Sequence, residues 1–113
     1  MPKKNIHGVY INMYELNFNT KEHIHFIGIG GISMSALAEI LHNRGFKVTG
    51  SDAKPSKLTE HLEQLGIKVT IGQCAENIDD SIDTVVYTAA VHEDNPEFAE
   101  AKRRPPRRES GVT

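Results

Sequence analysis

The chain has 113 residues, 25% of them charged, a formal net charge of -2 and one cysteine. That length suits one domain with one core, and near-balanced charge gives no general case for nucleic acid or a membrane surface as partner. A lone cysteine, Cys74, excludes an internal disulfide framework, no apolar run reaches membrane-spanning length, and the polar N-terminus lacks a signal peptide's apolar centre, so a cytoplasmic protein is expected.

Residues 1–22 are polar and rich in asparagine, with alternating apolar positions in "GVYINMYEL". They read as a short edge strand or a loosely attached arm. From His23 the pattern becomes regular. "HIHFIGI" (23–29) reads as a buried strand closed by glycine. A helix is predicted over 32–44, with Leu37, Ile40, Leu41 and Arg44 at helical spacing and Gly45 as its stop. "FKVTGSD" (46–52) is a second strand. After "AKPS" turns the chain, Leu58, Leu62 and Leu65 mark one face of a second helix that ends at Gly66. "IKVTIG" (67–72) is a third strand, and "QCAENIDDSI" a polar connection with room for one helical turn. "DTVVYTAAV" (83–91) is a fourth strand, rich in β-branched residues. A last helix starts with Asn95 as N-cap, Pro96 at its first position and Glu97 in its first turn.

Strands alternating with helices predict an α/β, Rossmann-like, three-layer fold with a mostly parallel sheet in strand order 3-2-1-4. A fifth strand is expected on fold grounds, but "KRRPPRRESGVT" does not read as one. Residues 103–113 read instead as a basic, disordered tail. A missing fifth strand would leave a bare sheet edge and a route to self-association.

The turn "GIGGIS" carries the chemistry. Gly28 permits a tight exit from the strand, Gly30 lets backbone approach a phosphate, and Gly31 extends that stretch. The following helix aims free N–H groups and its positive end at an anion, and Ser33 and Ser35 can add hydroxyl donors. A ligand-free turn is the competing reading, and the strands on either side favour a phosphate site. Ser33 stands where the dinucleotide fingerprint needs its third glycine, and no lysine follows, so this is not a P-loop. Asp52 ends the second strand about twenty residues further on, where a carboxylate can accept from ribose hydroxyls, with Ser51 beside it. A turn or cap residue is the alternative for Asp52. Thr88, Ala89 and Ala90 fall at the carboxyl end of the fourth strand, at the predicted switch point. Six histidines show no spacing of a zinc site, Cys74 has no nucleophile signature, and the acidic pairs 79–80 and 93–94 read as solvated loop charges.

"HIHFIGIGGISMSALAEIL", "GFKVTGSD", "LEQLGIKVTIG", "AENI" and "VVYTAAVHEDNPE" together resemble the N-terminal domain of the Mur ligase family over residues 23–102. Within it they are most similar to the members that add L-alanine to UDP-N-acetylmuramate in bacterial peptidoglycan synthesis. The resemblance implies that this domain holds the UDP portion of the substrate. A central domain would carry ATP and magnesium, and a third would help bind the amino acid. By that similarity Gly28, Gly30, Gly31, Ile32, Ser33, Met34 and Ser35 form a diphosphate loop. Ser51 and Asp52 lie beside the uridine, and Thr88, Ala89 and Ala90 line the adjacent strand end. Gln73 stands where family members often have histidine, and Ser33 and Ala36 where they usually have glycine. The resemblance places no catalytic residue, metal or cofactor in this chain, which is expected not to ligate alone. An NAD(P)-binding oxidoreductase domain and the tripeptide-adding muramate ligase remain as alternatives.

Overall fold

The computed structural model describes residues 4–6, 9–11, 22–103 and 108–109. Two short strands, β1 (Lys4–Ile6) and β2 (Val9–Ile11), pair antiparallel with each other in a sheet of their own. Neither of these two strands is paired with the main sheet. The rest of 1–21 lies outside the described residues.

The main sheet contains β3 (His23–Ile27), β4 (Lys47–Asp52), β5 (Lys68–Ile71), β6 (Thr84–Val86) and β7 (Arg108–Glu109), in spatial order β5-β4-β3-β6-β7 and all parallel. The first four reproduce the predicted 3-2-1-4 arrangement. β7 is a correction to the tail reading. Its two residues pair with Thr84 and Val85. The outer edge of β6 presents backbone donors and acceptors whatever the side chains beside it, so a strand can form without an apolar pattern. The remaining tail residues, 104–107 and 110–113, lie outside the described residues.

Helix α1 (Ile32–Asn43) links β3 to β4, and α2 (Lys57–Gln64) links β4 to β5. Both stop at glycines with positive φ. Gly45 has φ +93 and Gly66 φ +99, a conformation that side chains with Cβ resist. In each case the residue after the glycine bonds back into the helix, Phe46 N–H to Leu41 O and Ile67 N–H to Leu62 O. The buried face of α1 is Met34, Ser35, Ala38 and Leu41. Ile40, grouped with the inner face by spacing alone, is 51% exposed. Helix α3 (Pro96–Arg103) begins as predicted: Asn95 Oδ1 accepts from the N–H groups of Glu97 (2.9 Å) and Phe98 (3.1 Å).

The sheet separates two cores. On one face Ile24, Phe26, Met34, Ala38, Leu41, Phe46, Val48, Leu62 and Ile67 join α1 and α2 to the strands. Complete burial of Ile24 or Leu62 contributes about 1.5–3 kcal/mol each. On the other face Ile27, Ile78, Ile82, Val85, Tyr87, Phe98 and Ala101 hold α3, with the Tyr87 and Phe98 rings 4.8 Å apart. The connection from β5 to β6 crosses to this second face with one 3-10 turn, Ala75–Asn77. The predicted fourth strand is shorter than read. β6 stops at Val86 opposite Phe26, because β3 turns away at Gly28 and offers no partner beyond it.

Candidate functional site

Parallel strands β3, β4, β5 and β6 all point their carboxyl ends to one edge of the sheet, and the order reverses between β3 and β6. A cleft of about 600 Å³ opens there. Its floor is Ile27, Gly28, Gly31 and Met34; its sides are Asp52, Gln73, Thr88 and Ala90, and Val91, His92, Asp94, Asn95 and Pro96 close it. The structure thus brings together seven of the predicted site residues: Gly28, Gly31, Met34, Asp52, Gln73, Thr88 and Ala90.

The loop is held by backbone. Gly28 and Ile29 N–H both donate to Ser51 O at 2.9 and 2.8 Å, and Gly31 N–H donates to Gly28 O at 3.2 Å. Gly28 has φ +87, which is the tight exit that the sequence predicts. Gly30 is required for a different reason from the one expected. A Cβ there would lie 2.8 Å from Asp52 Oδ2 and 3.0 Å from Thr59 Cγ2. The Asp52 carboxylate packs directly on the loop, accepting from Gly30 N–H at 2.8 Å and from Lys54 N–H at 3.3 Å. Asp52 therefore fills the turn role and still borders the cleft. Gly31 precedes α1 with no side-chain cap, and no acidic residue lies in that helix's first turn. The helix's positive end therefore carries no acid of its own first turn. No lysine or arginine lines the cleft among the described residues.

Six predicted residues are not among those lining the cleft. Gly30 lies under Asp52. Ile32 is 83% exposed at the start of α1. Ser33 is half-buried in the first turn, and Ala89 is exposed in the turn after β6. Ser35 is buried and its hydroxyl donates to Ile32 O at 3.1 Å, so it is spent inside the helix. Ser51 is fully buried and its hydroxyl donates to Glu97 Oε2 at 2.8 Å, away from the cleft.

The residues that sequence reasoning missed are at the start of α3. Asn95 lines the cleft and donates through Nδ2 to Gln73 Oε1 at 2.7 Å, tying the end of β5 to α3. Glu97, read only as a first-turn charge, is completely buried. It accepts from Ser51, from Asn77 Nδ2 at 2.7 Å and from His25 Nε2 at 2.6 Å. A signal was present. His23 and His25 alternate on one strand and Thr49 and Ser51 on the next, which marks one side of the sheet as polar. No group of three His, Cys, Asp or Glu side chains that could hold a metal ion exists among the described residues, so these residues do not fit a metal. No described helix is long and apolar enough to cross a membrane.

The model of the Mur ligase family, catalytic domain, matches residues 23–107. The UDP-N-acetylmuramate–L-alanine ligase of Agathobacter rectalis is 64% identical over 90 residues, which are 80% of this chain and 20% of that one. Among solved structures, the UDP-N-acetylmuramate–alanine ligase of Thermotoga maritima superposes with a TM-score of 0.69 at 42% identity, over 74% of this chain and 20% of that one. The UDP-N-acetylmuramate:L-alanyl-gamma-D-glutamyl-meso-diaminopimelate ligase of Neisseria meningitides gives 0.66 at 37%, over 75% and 26%. The chain spans about a fifth of the length of the curated relatives it matches.

Proposed function

We propose that this chain, which belongs to the Mur ligase family, holds the UDP end of UDP-N-acetylmuramate in the cleft at the carboxyl edge of its sheet. The observation that carries the reading is the uncapped start of α1 directly behind Gly28 and Gly31 on the cleft floor. The diphosphate would sit against the first turn of α1, held by the helix dipole. Asp52, Gln73 and Thr88 would recognise the nucleoside or sugar by accepting and donating hydrogen bonds at the cleft's sides. Asp52 keeps acceptor capacity beyond its bonds to the two backbone N–H groups, which suits a donor such as a hydroxyl or a base N–H.

The activity belongs to the whole protein. It would activate the muramyl carboxylate with ATP and magnesium as an acyl phosphate, which the amine of L-alanine attacks. The described residues contain neither a phosphate-loop lysine nor a group fitted to a metal, so both would be held elsewhere. The chain's part is to bind and orient the substrate's handle, in the cytoplasm. The tripeptide-adding ligases share that handle, and the likeness to the Neisseria meningitides enzyme keeps them as the second reading. A whole protein that used the tripeptide and rejected L-alanine would select it. Self-association through the sheet edge beyond β6, where β7 pairs with Thr84 and Val85, belongs to the same proposal and is read by sedimentation.

Titration with UDP-N-acetylmuramate, followed by amide NMR, should shift Gly28 to Ser35 selectively. No shift at millimolar ligand rejects the site. Tight NADH binding, read by its fluorescence, beside an inert UDP-sugar would reassign the cleft to a dinucleotide.

A further inference from the structure

Behind the cleft, on the polar side of the sheet, a chain of hydrogen bonds crosses β3 and β4. Thr49 Oγ1 stands between two rings, 2.8 Å from His23 Nε2 and 2.8 Å from His25 Nδ1. At the inner end, His25 Nε2 meets Glu97 Oε2 at 2.6 Å. At the outer end, His23 Nδ1 lies 3.2 Å from the Ser81 carbonyl and 3.1 Å from Ser81 Oγ.

Both ends are acceptors. The Ser81 hydroxyl gives its proton to Asp79 Oδ1, so Ser81 shows His23 only lone pairs. The Glu97 carboxylate already receives the Ser51 hydroxyl and the Asn77 amide, so it faces His25 as an acceptor. Four links join these ends, and each needs one proton. The Thr49 hydroxyl supplies one and two neutral imidazoles supply one each. That leaves one link of the four without a proton.

We propose that the relay holds one further proton on His25, forming an imidazolium–carboxylate pair with Glu97, and that Glu97 is thereby a positioning residue for the cleft. With that proton every link closes in one direction. His25 donates to Glu97 and, through Nδ1, to Thr49; Thr49 donates to His23 Nε2; His23 donates through Nδ1 to the Ser81 carbonyl. The charge falls on His25 because it faces the carboxylate. His23 faces Lys47 and Lys68 in the same groove, against Glu76 and Asp79, and Asp83 accepts from its backbone N–H. Burial, then Lys47, lowers the tendency of His23 to protonate. The pinned carboxylate fixes the cleft walls through two ties. Asn77 Nδ2 bridges Glu97 Oε1 and Gly72 O, and Asn95, two residues before Glu97, holds Gln73.

The proton placement does not rest on the identity of the cleft's ligand. Long-range proton–nitrogen correlation of the histidine rings in the intact chain should show His25 protonated on both nitrogens and His23 on Nδ1 alone at neutral pH. Two singly protonated rings would overturn the proposal, with no variant needed. In Glu97→Gln, the second ring proton of His25 should be lost and the signals of Gly72, Gln73 and Asn95 should move. Thr49→Ser, which keeps the hydroxyl, should retain the wild-type ring pattern. A Glu97→Gln protein that keeps a doubly protonated His25, or leaves Gln73 and Asn95 unmoved, sinks the assignment. UDP-N-acetylmuramate binding should weaken in Glu97→Gln and persist in Thr49→Ser; absence of binding in the wild type would reject the ligand while the ring pattern still decides the proton.

Discussion

Single atoms decide the loop. Gly30→Ala would place a Cβ 2.8 Å from Asp52 Oδ2, so the carboxylate must leave the Gly30 N–H it now accepts from. A hydrogen bond to a charged group contributes about 1.5–3 kcal/mol, and a loss toward the lower end is expected because Asp52 is half-buried. Urea unfolding should show that loss, together with weaker binding of the UDP-sugar; an unchanged midpoint would mean that the contact does not hold the loop. Thr84 tests the opposite sign. It is fully buried and its hydroxyl has no hydrogen-bond partner. Thr84→Val keeps the shape and removes the stranded polar group, so stability should rise by about 1 kcal/mol in the same experiment. At this scale the sequence disclosed the glycines, because positive φ and close approach restrict residue type. It did not disclose where hydroxyls point. Ser35, Ser51 and Ser33 are alike on paper, yet Ser35 is spent on Ile32 O and Ser51 on Glu97.

Elements were more legible than their lengths. Gly45 and Gly66 end helices wherever the chain needs a left-handed residue, and Asn95-Pro96 starts one, so these boundaries follow from local chemistry. The fourth strand was overrun because β-branched residues continue past Val86, while its length is set by the neighbour, β3, that stops at Ile27. Two helix caps separate local from functional effects. Ser56 caps α2 reciprocally with Thr59, and Asn95 caps α3 while holding Gln73. Alanine at either should cost about 1 kcal/mol. Only Asn95→Ala should weaken UDP-N-acetylmuramate binding, measured calorimetrically beside Ser56→Ala. Equal losses of affinity would show that helix stability alone governs the cleft.

At the scale of the molecule, the alternation of His23 with His25 and of Thr49 with Ser51 marks one face of the sheet as polar, but not which loop and helix residues gather on it. Glu76 and Asp79 suggest solvent, yet they converge with His23, His25, Thr49 and Thr70 on a groove of about 190 Å³ beside buried Glu97. That face should set the acid stability of the whole fold. Burial and then Lys47 depress the His23 pKa below 6.5, so the folded chain binds fewer protons there than the unfolded chain. His23 therefore leaves stability unaffected well above 6.5 and lowers it as pH falls from 6.5 toward the folded value. A proton on His23 would also leave both rings donating to Thr49, whose own proton then lacks an acceptor. The hydrogen bond from the Ser81 hydroxyl holds the Asp79 carboxyl below its ordinary 3.8. Its contribution is full above 3.8 and is lost as pH falls through the lower folded value. Urea midpoints measured against pH should thus fall in a step below 3.8 that belongs to Asp79. Asp79→Asn should remove that step, and a step that persists unchanged in the variant would contradict its assignment to Asp79.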